Sequence, residues 1–459
     1  MRIEQELETA RGIAAAVAEK GGRVYFVGGM VRDALLGREN KDIDIEVYGI
    51  TPDTLREVLK GFGEPYEKGA SFGVMGLRHM DMDIAMPRTE RRTGEKHTSF
   101  DVKVDPFLSP EAATLRRDFT MNAMMRDVLT GELIDCHGGQ KDLRERVIRC
   151  VSPKTFAEDA LRVFRAAQFA ARLGAAIDPE TVLLCRGIDV TQISRERVCE
   201  ETNKALMKAE KPSVYFRSLR AMDHLKEFYP ELERCVGVPQ DPKYHPEGDV
   251  FEHTMLVIDA AAALRDRAKE PEWFMYAALC HDLGKVIATE TREDGRVTAY
   301  GHEVLGLDLV ERQLRRLTNN VRQIGYVKNM TELHMRPNLL ALQHSRKCKT
   351  RMLFDLSVCP EDLILLARAD GTGKLDEPYR EENETFLNQR LEDYREIIKR
   401  PMVTGKDLID AGLTPGEEFS ALIVRARRLH LSGLQKETAL KQVLAEYRSG
   451  QILRGKEDE

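Results

Sequence analysis

The chain has 459 residues, a net charge of −6, 42% hydrophobic residues and 32% charged residues. This length is more than one ordinary hydrophobic core accommodates, so several domains are expected. The eight cysteines show no C-x-x-C spacing, which excludes a zinc knuckle or a dithiol redox motif and fits a reducing cytosol. The acidic balance argues against a surface coated in nucleic acid, although local basic patches remain compatible with it.

Residues 1–20 predict an amphipathic helix, because Ile3, Leu7, Ile13 and Val17 recur on one side. The same segment is charged and lacks the apolar stretch of a signal peptide. No apolar run reaches the length of a membrane span. We therefore expect a cytoplasmic protein with no membrane partner.

The next segments alternate between strand and turn patterns. RVYFVGG predicts a strand that runs into two glycines, and MVRDALLG predicts a short helix ending at Gly37. KDIDIEVYG and HMDMDIAM alternate in polarity and predict two more strands. The charged segment from Pro87 to Asp101 shows no period and predicts a long mobile loop.

From about residue 153 onward, helical patterns dominate and no further strand is predicted. Segments rich in Pro and Gly, at 236–249 and 369–378, predict breaks between helices. The predicted fold class is α+β: a head with a small mixed sheet, followed by helical regions. The predicted division is a head at 1–150, a helical neck and body at 151–238, a third domain at 239–378 and a helical tail at 379–459.

Asp42 and Asp44 lie two residues apart in a predicted strand, so both carboxylates point to the same face. Such a pair suits Mg²⁺, and a two-metal site can activate a hydroxyl and stabilise a leaving pyrophosphate. Asp83, on the next alternating strand, could supply a third carboxylate, and Asp81 stands on the same predicted face. A D-x-D pattern alone is more often a solvated strand face.

Gly28 and Gly29 follow a strand and lead into a helix, so their backbone N–H groups can approach phosphates closely. Arg32 and Asp33 then fall on the first turns of that helix. A phosphate-binding turn beside a carboxylate pair is more specific than either feature alone.

Four motifs occur in a fixed order over about the first 210 residues: GGMVRDALLG followed by DID, then RRDFTMNAMM, AEDALRVFRAAQFAARLG and ISRERVCEETNKAL. This series resembles the class II tRNA nucleotidyltransferase and bacterial poly(A) polymerase family, within the polymerase β superfamily. AMPRTERRTG is similar to a stretch of the CCA-adding enzymes that carry an HD domain.

The resemblance implies roles for residues of these motifs. Asp42 and Asp44 would hold the catalytic Mg²⁺. Triphosphate and ribose would be contacted by Gly28, Gly29, Arg32 and Asp33. The nucleotide sugar and phosphates would be positioned by Arg116, Asp118 and Asn122.

The third motif carries a possible base-recognition group. Glu158 and Asp159 precede Arg162 by four and three residues, a spacing that predicts one shared helix face. An aspartate can accept from the amino group of C or A while an arginine donates to the ring nitrogen. Arg165 is a candidate phosphate or base contact, and Gln168 stands where the family usually has Arg. A surface ion-pair cluster is the alternative explanation of these charges.

The region 240–375 contains the order H…HD…D, as His253, His281-Asp282 and Asp370. This order resembles the HD phosphohydrolase superfamily, which implies that these four residues bind a transition metal or Mg²⁺. A metal-bound water could then attack a phosphoester.

Further residues could extend this second site. His302 and His334 could complete a second metal site, and Lys285 could bind the substrate phosphate. HD domains joined to such heads are similar to 2′,3′-cyclic phosphodiesterases, 2′-nucleotidases and phosphatases.

RNA binding needs basic side chains that contact phosphates. The candidates are Arg88, Arg91, Arg92 and Lys96 in the predicted loop, and Arg425, Arg427 and Arg428 in the tail. The tail resembles the part of the family that approaches tRNA, and no stable protein partner is indicated.

The expected function is therefore addition of C, C and A from CTP and ATP to tRNA 3′ ends, with a phosphohydrolase activity in the HD domain. A poly(A) polymerase, an enzyme adding only A or only CC, and a nucleotide-binding regulator with an inactive site remain alternatives. An HD phosphohydrolase with an inactive head is a further one.

Overall fold

The computed structural model describes residues 2–38, 42–68, 74–92, 100–374 and 379–449. The chain forms two compact units, Met1–Glu227 and Phe228–Glu459. A mixed sheet lies in the first unit and the second is almost entirely helical, so the predicted α+β class is confirmed. The predicted four-part division is finer than these two units and stays a prediction.

The main sheet has seven strands in the order β3-β4-β5-β2-β1-β8-β9. Only β2 and β5 are parallel among its pairs, so the sheet is mixed. Its strands are β1 (Arg23–Val27), β2 (Ile43–Tyr48), β3 (Pro65–Glu67), β4 (Val74–Leu77), β5 (Met82–Ala85), β8 (Met125–Asp127) and β9 (Leu133–Ile134).

Alternation along β2 separates the two faces of the sheet. Ile43, Ile45 and Val47 point into the core, where each side chain is at most 1% exposed. Burial of such a side chain contributes roughly 1.5–3 kcal/mol. Asp44 and Glu46 therefore point to the opposite face, as the sequence pattern predicts.

The remaining elements of the first unit are mostly helices. They are α1 (Arg2–Glu19), α2 (Gly29–Leu35), α3 (Pro52–Lys60), α4 (Pro110–Thr114), α5 (Gly139–Glu145), α6 (Pro153–Phe156), α7 (Leu161–Leu173), α8 (Pro179–Arg186), α9 (Arg195–Lys208), α10 (Ser213–Ala221) and α11 (Leu225–Phe228), with a 3₁₀ turn at Thr120–Asn122. The predictions of the first helix, the short helix after the double glycine and the three strands are confirmed.

The predicted loop from Pro87 to Asp101 is wrong in part, because two paired strands lie there. β6 (Arg88–Arg92) and β7 (Phe100–Val104) are antiparallel, with Arg88 opposite Val104. The sequence FDVKV of β7 alternates in polarity, whereas RTERR of β6 is polar throughout and shows no apolar period. Residues 93–99 lie outside the described part of the chain.

The prediction of no strand beyond residue 153 is also wrong, although the strands there are short. Three strands lie beyond that point: β11 (Ala176–Ile177), which pairs with β10 (Val147–Ile148), and β12 (Glu290–Thr291), which pairs with β13 (Val297–Thr298). Two residues are too few to show a period in the sequence.

The second unit is a set of helices around a buried core. They are α12 (Pro230–Glu233), α13 (Val250–Ala262), α14 (Pro271–Cys280), α15 (Lys285–Ala288), α16 (His302–Leu305), α17 (Leu307–Arg315), α18 (Val321–Leu333), α19 (Met335–Leu342), α20 (Lys347–Leu356), α21 (Pro360–Thr372), α22 (Glu381–Ile398), α23 (Gly405–Asp410), α24 (Glu418–Leu431) and α25 (Lys436–Arg448), with a 3₁₀ turn at Arg265–Arg267. None of the described helices is long and apolar enough to cross a membrane.

Local sequence sets where these helices begin and end. The Asp249 carboxylate accepts a hydrogen bond from the backbone N–H of Glu252 (2.8 Å), which caps α13 at the end of the segment predicted as a break. The predicted break at 369–378 begins too early, since α21 continues to Thr372 and carries Asp370 in its last turn.

A separate small core of Leu408, Leu422 and Val443 joins α23, α24 and α25.

Candidate active sites

The first unit contains a cavity of about 630 Å³ between the sheet and the helices α7 and α9. Eight of the residues predicted for nucleotide binding or catalysis lie along it: Gly28, Gly29, Arg32, Asp33, Asp42, Asp44, Asp118 and Asn122, with Arg165 as a ninth. We call this cavity the head cleft. It brings together parts of all four sequence motifs, which are far apart in the chain.

Strand register brings together two of the predicted carboxylates, Asp44 and Asp83, although only Asp44 lines the head cleft. Asp44 on β2 is the direct partner of Asp83 on the parallel strand β5, so both point to the same face. Burial, followed by the neighbouring charge of Asp83, raises the pKa of Asp44. Lys68 pairs with Asp83. Asp81 precedes β5, whereas Asp83 lies within it in register with Asp44, which favours Asp83 as the third carboxylate.

Gly28 allows the close approach that a phosphate needs. Its φ is +66°, in the left-handed region, at the start of α2. A Cβ placed there would lie 3.5 Å from Arg117 Nη1 and 4.0 Å from Asp44 Oδ2. A side chain at this position would therefore enter the space between the carboxylate and the guanidinium.

A chain of hydrogen bonds joins the motifs across the cleft. Arg32 Nη1 donates to Asn122 Oδ1 (2.7 Å), and Asn122 Nδ2 donates to Asp118 Oδ1 (3.0 Å). Arg165 donates to Asp118 Oδ2 through Nε (2.8 Å) and Nη2 (2.7 Å). Arg32 is itself paired with Asp33. The network fixes these side chains before any nucleotide binds.

The same network packs on an aromatic ring. The guanidinium carbons of Arg32 and Arg165 lie 5.0 and 5.3 Å from the ring centre of Phe169. Burial alone would raise the pKa of Asp118, but the charge of Arg165 and the hydrogen bonds from Asn122 and Arg165 lower it. Asp118 is thus held as a carboxylate.

The prediction that Glu158, Asp159 and Arg162 share one helix face is wrong. Glu158 and Asp159 lie in the turn between α6 and α7, and the Asp159 carboxylate accepts from the backbone N–H of Leu161 at the start of α7 (3.2 Å). Asp159 lies outside α7, which begins after Ala160, and a spacing count cannot distinguish such a position from one inside the helix.

The base-recognition candidates already have other partners in the structure. Asp159 pairs with Arg197 (3.1 Å), while Arg162 donates to the carbonyl oxygens of Thr155 (2.7 Å) and Arg116 (2.6 Å). None of Glu158, Asp159 and Arg162 lines the head cleft.

Arg116 and Gln168 have surroundings that the sequence did not reveal. Arg116 lies outside the cleft lining and pairs with the buried carboxylate of Glu46 (3.0 Å), which also accepts from the Tyr48 hydroxyl (2.9 Å). Gln168 is 1% exposed, and its Nε2 has no hydrogen-bond acceptor among the described residues.

Four basic residues of the head cleft were missed: Arg117, Arg172, Lys204 and Lys208. Lys204 and Lys208 are four residues apart on α9 and therefore lie on one helix face. That spacing was available in the sequence, but the carboxylates that give it meaning come from distant strands. The cleft thus combines Asp42 and Asp44, at the start of β2, with basic side chains on α7 and α9.

The second unit holds six buried ligand-type residues in one cluster, which we call the HD cluster. His253, His281 and Asp370 form one group of converging ligand atoms, and Asp282, His302 and His334 form another. Every one of the six is at most 6% exposed. All six residues predicted for the HD metal sites therefore meet in space.

Short contacts connect the two groups. His253 Nε2 lies 3.1 Å from Asp370 Oδ1 and 3.6 Å from Asp282 Oδ2. His302 Nε2 lies 3.0 Å from Asp282 Oδ1. Asp282 therefore stands between the two groups.

Backbone carbonyls orient the histidines. His281, His302 and His334 each donate from Nδ1 to the carbonyl oxygen three residues earlier, at 2.9, 2.7 and 2.6 Å. These bonds place the Nδ1 protons and turn each Nε2 towards the cluster, as in metal-binding histidines. His281 Nε2 and Asp282 Oδ1 have no hydrogen bond of good geometry among the described residues, and such buried atoms fit a bound cation.

Glu247 was missed because it lies in the segment predicted as a break. Its Oε1 accepts from His253 Nδ1 (2.7 Å) and from His245 Nδ1 (2.9 Å), so it orients both rings. Burial raises the pKa of Glu247, but the hydrogen bonds from the two histidines outweigh this and lower it to about 2. Burial and the charge of Lys285 lower the pKa of His245 to about 4.

Burial and neighbouring charges shift the pKa values of the residues in the HD cluster. Burial would raise the pKa of Asp282, but Lys285 and His281 hold it well below its usual range. Burial would lower the pKa of His281, but Asp282 and Asp370 raise it. For His334 burial dominates and lowers the pKa. Lys285 Nζ lies 2.7 Å from Asp282 Oδ2, and its contact with a substrate phosphate stays a prediction.

The predicted RNA-binding residues differ in their surroundings. Arg425 forms two hydrogen bonds with Glu446, both 2.7 Å, and Arg427 pairs with Asp355 (2.5 Å). Arg428 lies on α24 with them, and Arg88 begins β6. The side chains of Arg91 and Arg92, and the whole of Lys96, lie outside the described part of the chain. RNA contact by these residues stays a prediction.

Comparison with known proteins identifies the two parts of the chain that contain these sites. Residues 24–149 match the Poly A polymerase head domain, and residues 250–372 match the HD domain. Both families are metal-dependent. The chain is thus built as a nucleotidyltransferase head followed by an HD domain.

Curated relatives match most of the chain. The "Multifunctional CCA protein" of Actinobacillus pleuropneumoniae serotype 5b is 37% identical over 368 residues, which cover 77% of this chain and 86% of that protein. The protein of the same name from Alkalilimnicola ehrlichii is 35% identical over 429 residues, which cover 90% and 98%. The chain belongs to the family of multifunctional CCA proteins.

Solved structures share the fold at lower identity. A CCA-adding enzyme in an apo form has a TM-score of 0.66 at 22% identity, with 96% of both chains covered. A Thermotoga maritima CCA-adding enzyme complexed with tRNA has a TM-score of 0.62 at 22% identity, with 97% and 99% covered. A Bacillus stearothermophilus CCA-adding enzyme in complex with CTP has a TM-score of 0.65 at 23% identity, with 97% and 98% covered.

Proposed function

We propose that this chain adds C, C and A from CTP and ATP to tRNA 3′ ends and releases pyrophosphate. The observation that carries the proposal is the head cleft, where Asp42 and Asp44 face a wall of basic side chains on α7 and α9. A nucleoside triphosphate needs both: carboxylates for its metal ions and cations for its phosphates. The Thermotoga maritima CCA-adding enzyme, which shares the fold, is known in complex with tRNA, and this supports the choice of tRNA as the acceptor.

In the proposed reaction, the 3′-oxygen of the RNA forms a bond to the α-phosphorus while the bond to the β-phosphate oxygen breaks. Asp42 and Asp44, with Asp83, would hold Mg²⁺. When bound, this ion would favour the ionised 3′-hydroxyl and neutralise charge on the pyrophosphate. Backbone N–H groups at Gly28 and Gly29 would approach the phosphates.

Other residues of the cleft would hold the nucleotide in place. The bonded series Arg32, Asn122, Asp118 and Arg165 would position sugar and phosphates without a large rearrangement. Base recognition by Asp159 and Arg162 would require both side chains to exchange their present partners for the nucleotide. Such an enzyme works where tRNA, CTP and ATP are present, so we place it in the cytoplasm.

The test is incorporation of each labelled nucleotide, singly and in mixtures, onto tRNA ending at the discriminator base, at C and at CC. Ordered addition of C, C and A is the expected result. A added only to the CC end, C added only to the shorter ends, or long runs of A on any RNA would each overturn the proposal in favour of a partial enzyme or a poly(A) polymerase.

We propose in addition that the HD cluster hydrolyses phosphoesters. His253, His281, Asp282 and Asp370 would bind one divalent ion, and Asp282, His302 and His334 have the geometry for a second. A water bound to such an ion becomes a nucleophile near neutral pH. With a divalent metal supplied, we expect the wild-type chain to release phosphate from a phosphoester. We expect the Asp282→Asn variant to lose this activity.

Contact of the tail with tRNA forms a further part of the proposal. Arg425 and Arg427 pair with Glu446 and Asp355, which orders the tail, and the basic side chains Arg425, Arg427 and Arg428 of α24 would meet the RNA. A chain ending at residue 400 should bind tRNA more weakly. Unchanged affinity would remove the tail from the proposed interface.

A further inference from the structure

Glu46 is a buried carboxylate that the proposed reaction does not use. It follows Asp44 by two residues on β2, so both side chains leave the same face of the strand. The Glu46 side chain is only 1% exposed, and a buried charge is stable only beside groups of the opposite sign. What Glu46 does therefore depends on the groups that surround it.

Two consecutive arginines and a tyrosine surround the Glu46 carboxylate. Arg116 Nη2 donates to Oε1 (3.0 Å), and the Tyr48 hydroxyl donates to Oε2 (2.9 Å). Arg117 Nη2 lies 4.0 Å from the same Oε1. Arg116 and Tyr48 thus hold the carboxylate by direct hydrogen bonds, whereas Arg117 is attracted to it over a longer distance.

Arg117 lies between the carboxylates of Glu46 and Asp44. It lines the head cleft together with Asp44, and Glu46 is not part of that lining. A Cβ at Gly28 would lie 3.5 Å from Arg117 Nη1 and 4.0 Å from Asp44 Oδ2. Nη1 of the guanidinium therefore borders the space beside Asp44, while Nη2 lies near Glu46.

The charge of Arg117 already acts on Asp44. Burial and the charge of Asp83 raise the pKa of Asp44, and the charge of Arg117 acts in the opposite direction. A guanidinium and a metal ion compete for one carboxylate, because both bind its oxygens. An arginine that moved onto Asp44 would therefore occupy a group that the proposed reaction needs as a metal ligand.

We propose that Glu46 is a positioning residue that keeps Arg117 from pairing with Asp44 and so keeps Asp44 available to the catalytic metal ion. The attraction of Glu46 opposes that of Asp44, and the guanidinium stays between the two carboxylates. From this place Arg117 can contact a phosphate of the nucleotide without taking a ligand from the metal ion. The inference rests on the proposed nucleotidyl transfer, because it concerns the metal site of that reaction.

The test is a double-mutant cycle in Mn²⁺ binding, measured on the full chain by electron paramagnetic resonance of the free ion. Every protein carries Asp282→Asn to disable the HD cluster, and the binding that is lost in Asp44→Asn defines the head site. Glu46→Gln should raise the Kd of the head site roughly tenfold. Together with Arg117→Ala, the same change should alter Kd by less than about threefold, because no guanidinium remains to compete.

Tyr48→Phe is the matched control, because it removes a hydrogen bond to the same carboxylate but leaves the charge. It should keep the Kd for Mn²⁺ within about twofold of the parent value. If Glu46→Gln does not fold, Glu46→Asp replaces it in the cycle, since the shorter side chain withdraws the charge from Arg117. An equal rise in Kd with and without Arg117 would show a general effect of charge and would overturn the inference.

Nucleotide incorporation gives a second measurement. The Mg²⁺ concentration for half-maximal incorporation should rise in Glu46→Gln by the same factor as Kd, with little change in kcat at saturating Mg²⁺. Because Mn²⁺ binding requires no catalysis, the cycle can support the inference in a chain that adds no nucleotide, and the proposed function then fails alone. Ordered addition of C, C and A with unchanged Mn²⁺ binding in Glu46→Gln would overturn only the inference. Equal Mn²⁺ binding by Asp44→Asn and its parent would overturn it too.

Discussion

Two aspartates show how single residues gain their roles from their partners. Asp44 lies where burial and the charge of Asp83 raise its pKa, so it has the surroundings of a group that a cation would stabilise. Asp118 is buried as well, yet Arg165 and Asn122 lower its pKa. Within one cleft, the pKa of Asp44 is therefore raised and the pKa of Asp118 is lowered. Of the two carboxylates, only Asp118 already has its charge balanced by a protein group, Arg165.

Asp118→Asn should destabilise the first unit. The bidentate bond from Arg165 would lose its charged acceptor at a site only 8% exposed, and we expect a loss of about 3 kcal/mol in the free energy of unfolding. Urea denaturation followed by circular dichroism would measure it. Asp53→Asn, whose side chain is 93% exposed, should change stability by less than about 0.5 kcal/mol.

The pH dependence of this difference has a definite sign. Because the folded-state pKa of Asp118 is lowered, its stabilisation is fully present above the unfolded-state value near 3.8 and is lost as pH falls through the folded value. The gap between wild type and Asp118→Asn should be constant from pH 8 to pH 5 and should narrow below about pH 4. A gap that widens on acidification would contradict the assignment.

Lys208→Ala tests the basic wall of the head cleft. The lysine lies on the cleft lining at the end of α9, and loss of one phosphate contact should raise KM for CTP and ATP roughly fivefold with little change in kcat. Lys211→Ala, an exposed lysine three residues on that does not line the cleft, is the matched control. An equal rise in KM in both variants would show that the loss of a positive charge, and not the loss of a contact in the cleft, causes the change.

At the scale of elements, regular alternation and helical periodicity predicted most of what the structure has. β2 was predictable because one face is apolar and the other carries Asp44 and Glu46. The turn before α7 was not, because Asp159 at a helix start has the same spacing to Arg162 as it would have inside a helix. Glu247 was missed for a related reason: in a segment rich in Pro and Gly, nothing local indicates that a carboxylate meets two distant histidines.

The contact between α21 and α22 provides a prediction at this scale. Glu384 on α22, 7% exposed, pairs with Arg368 on α21 and with Arg267. Glu384→Gln should reduce the free energy of unfolding of the second unit by about 2 kcal/mol, because two guanidinium groups lose their common carboxylate. Trp273, the single tryptophan, lies in that unit, so its fluorescence in urea measures the effect. An unchanged midpoint would contradict it.

At the scale of the whole molecule, two kinds of site lie in two separate compact units. The order of motifs in the sequence predicted this arrangement, since each set of motifs is confined to one part of the chain. The hydrogen bonds that already orient the side chains of each site could not be predicted from the sequence. The head cleft is joined by hydrogen bonds among four motif residues, and the histidines of the HD cluster are oriented by backbone carbonyls and Glu247.

Metal binding should therefore stabilise the second unit. Mn²⁺ at about 100 times its dissociation constant would add about 2.7 kcal/mol, which raises the Tm followed by Trp273 fluorescence by roughly 5–10 °C. Asp282→Asn removes the carboxylate that stands between both ligand groups and should abolish the shift. An equal rise in Tm in wild type and Asp282→Asn would show that Mn²⁺ binds outside the HD cluster.

The most direct measurement of the central claim assays nucleotide incorporation on tRNA and phosphate release from a phosphoester in wild type, Asp44→Asn and Asp282→Asn. We expect Asp44→Asn to lose incorporation by on the order of a thousandfold while phosphate release is unchanged, and Asp282→Asn to show the reverse. Loss of both activities in either variant, or incorporation that survives Asp44→Asn, would contradict the account of two independent metal-dependent sites in one chain.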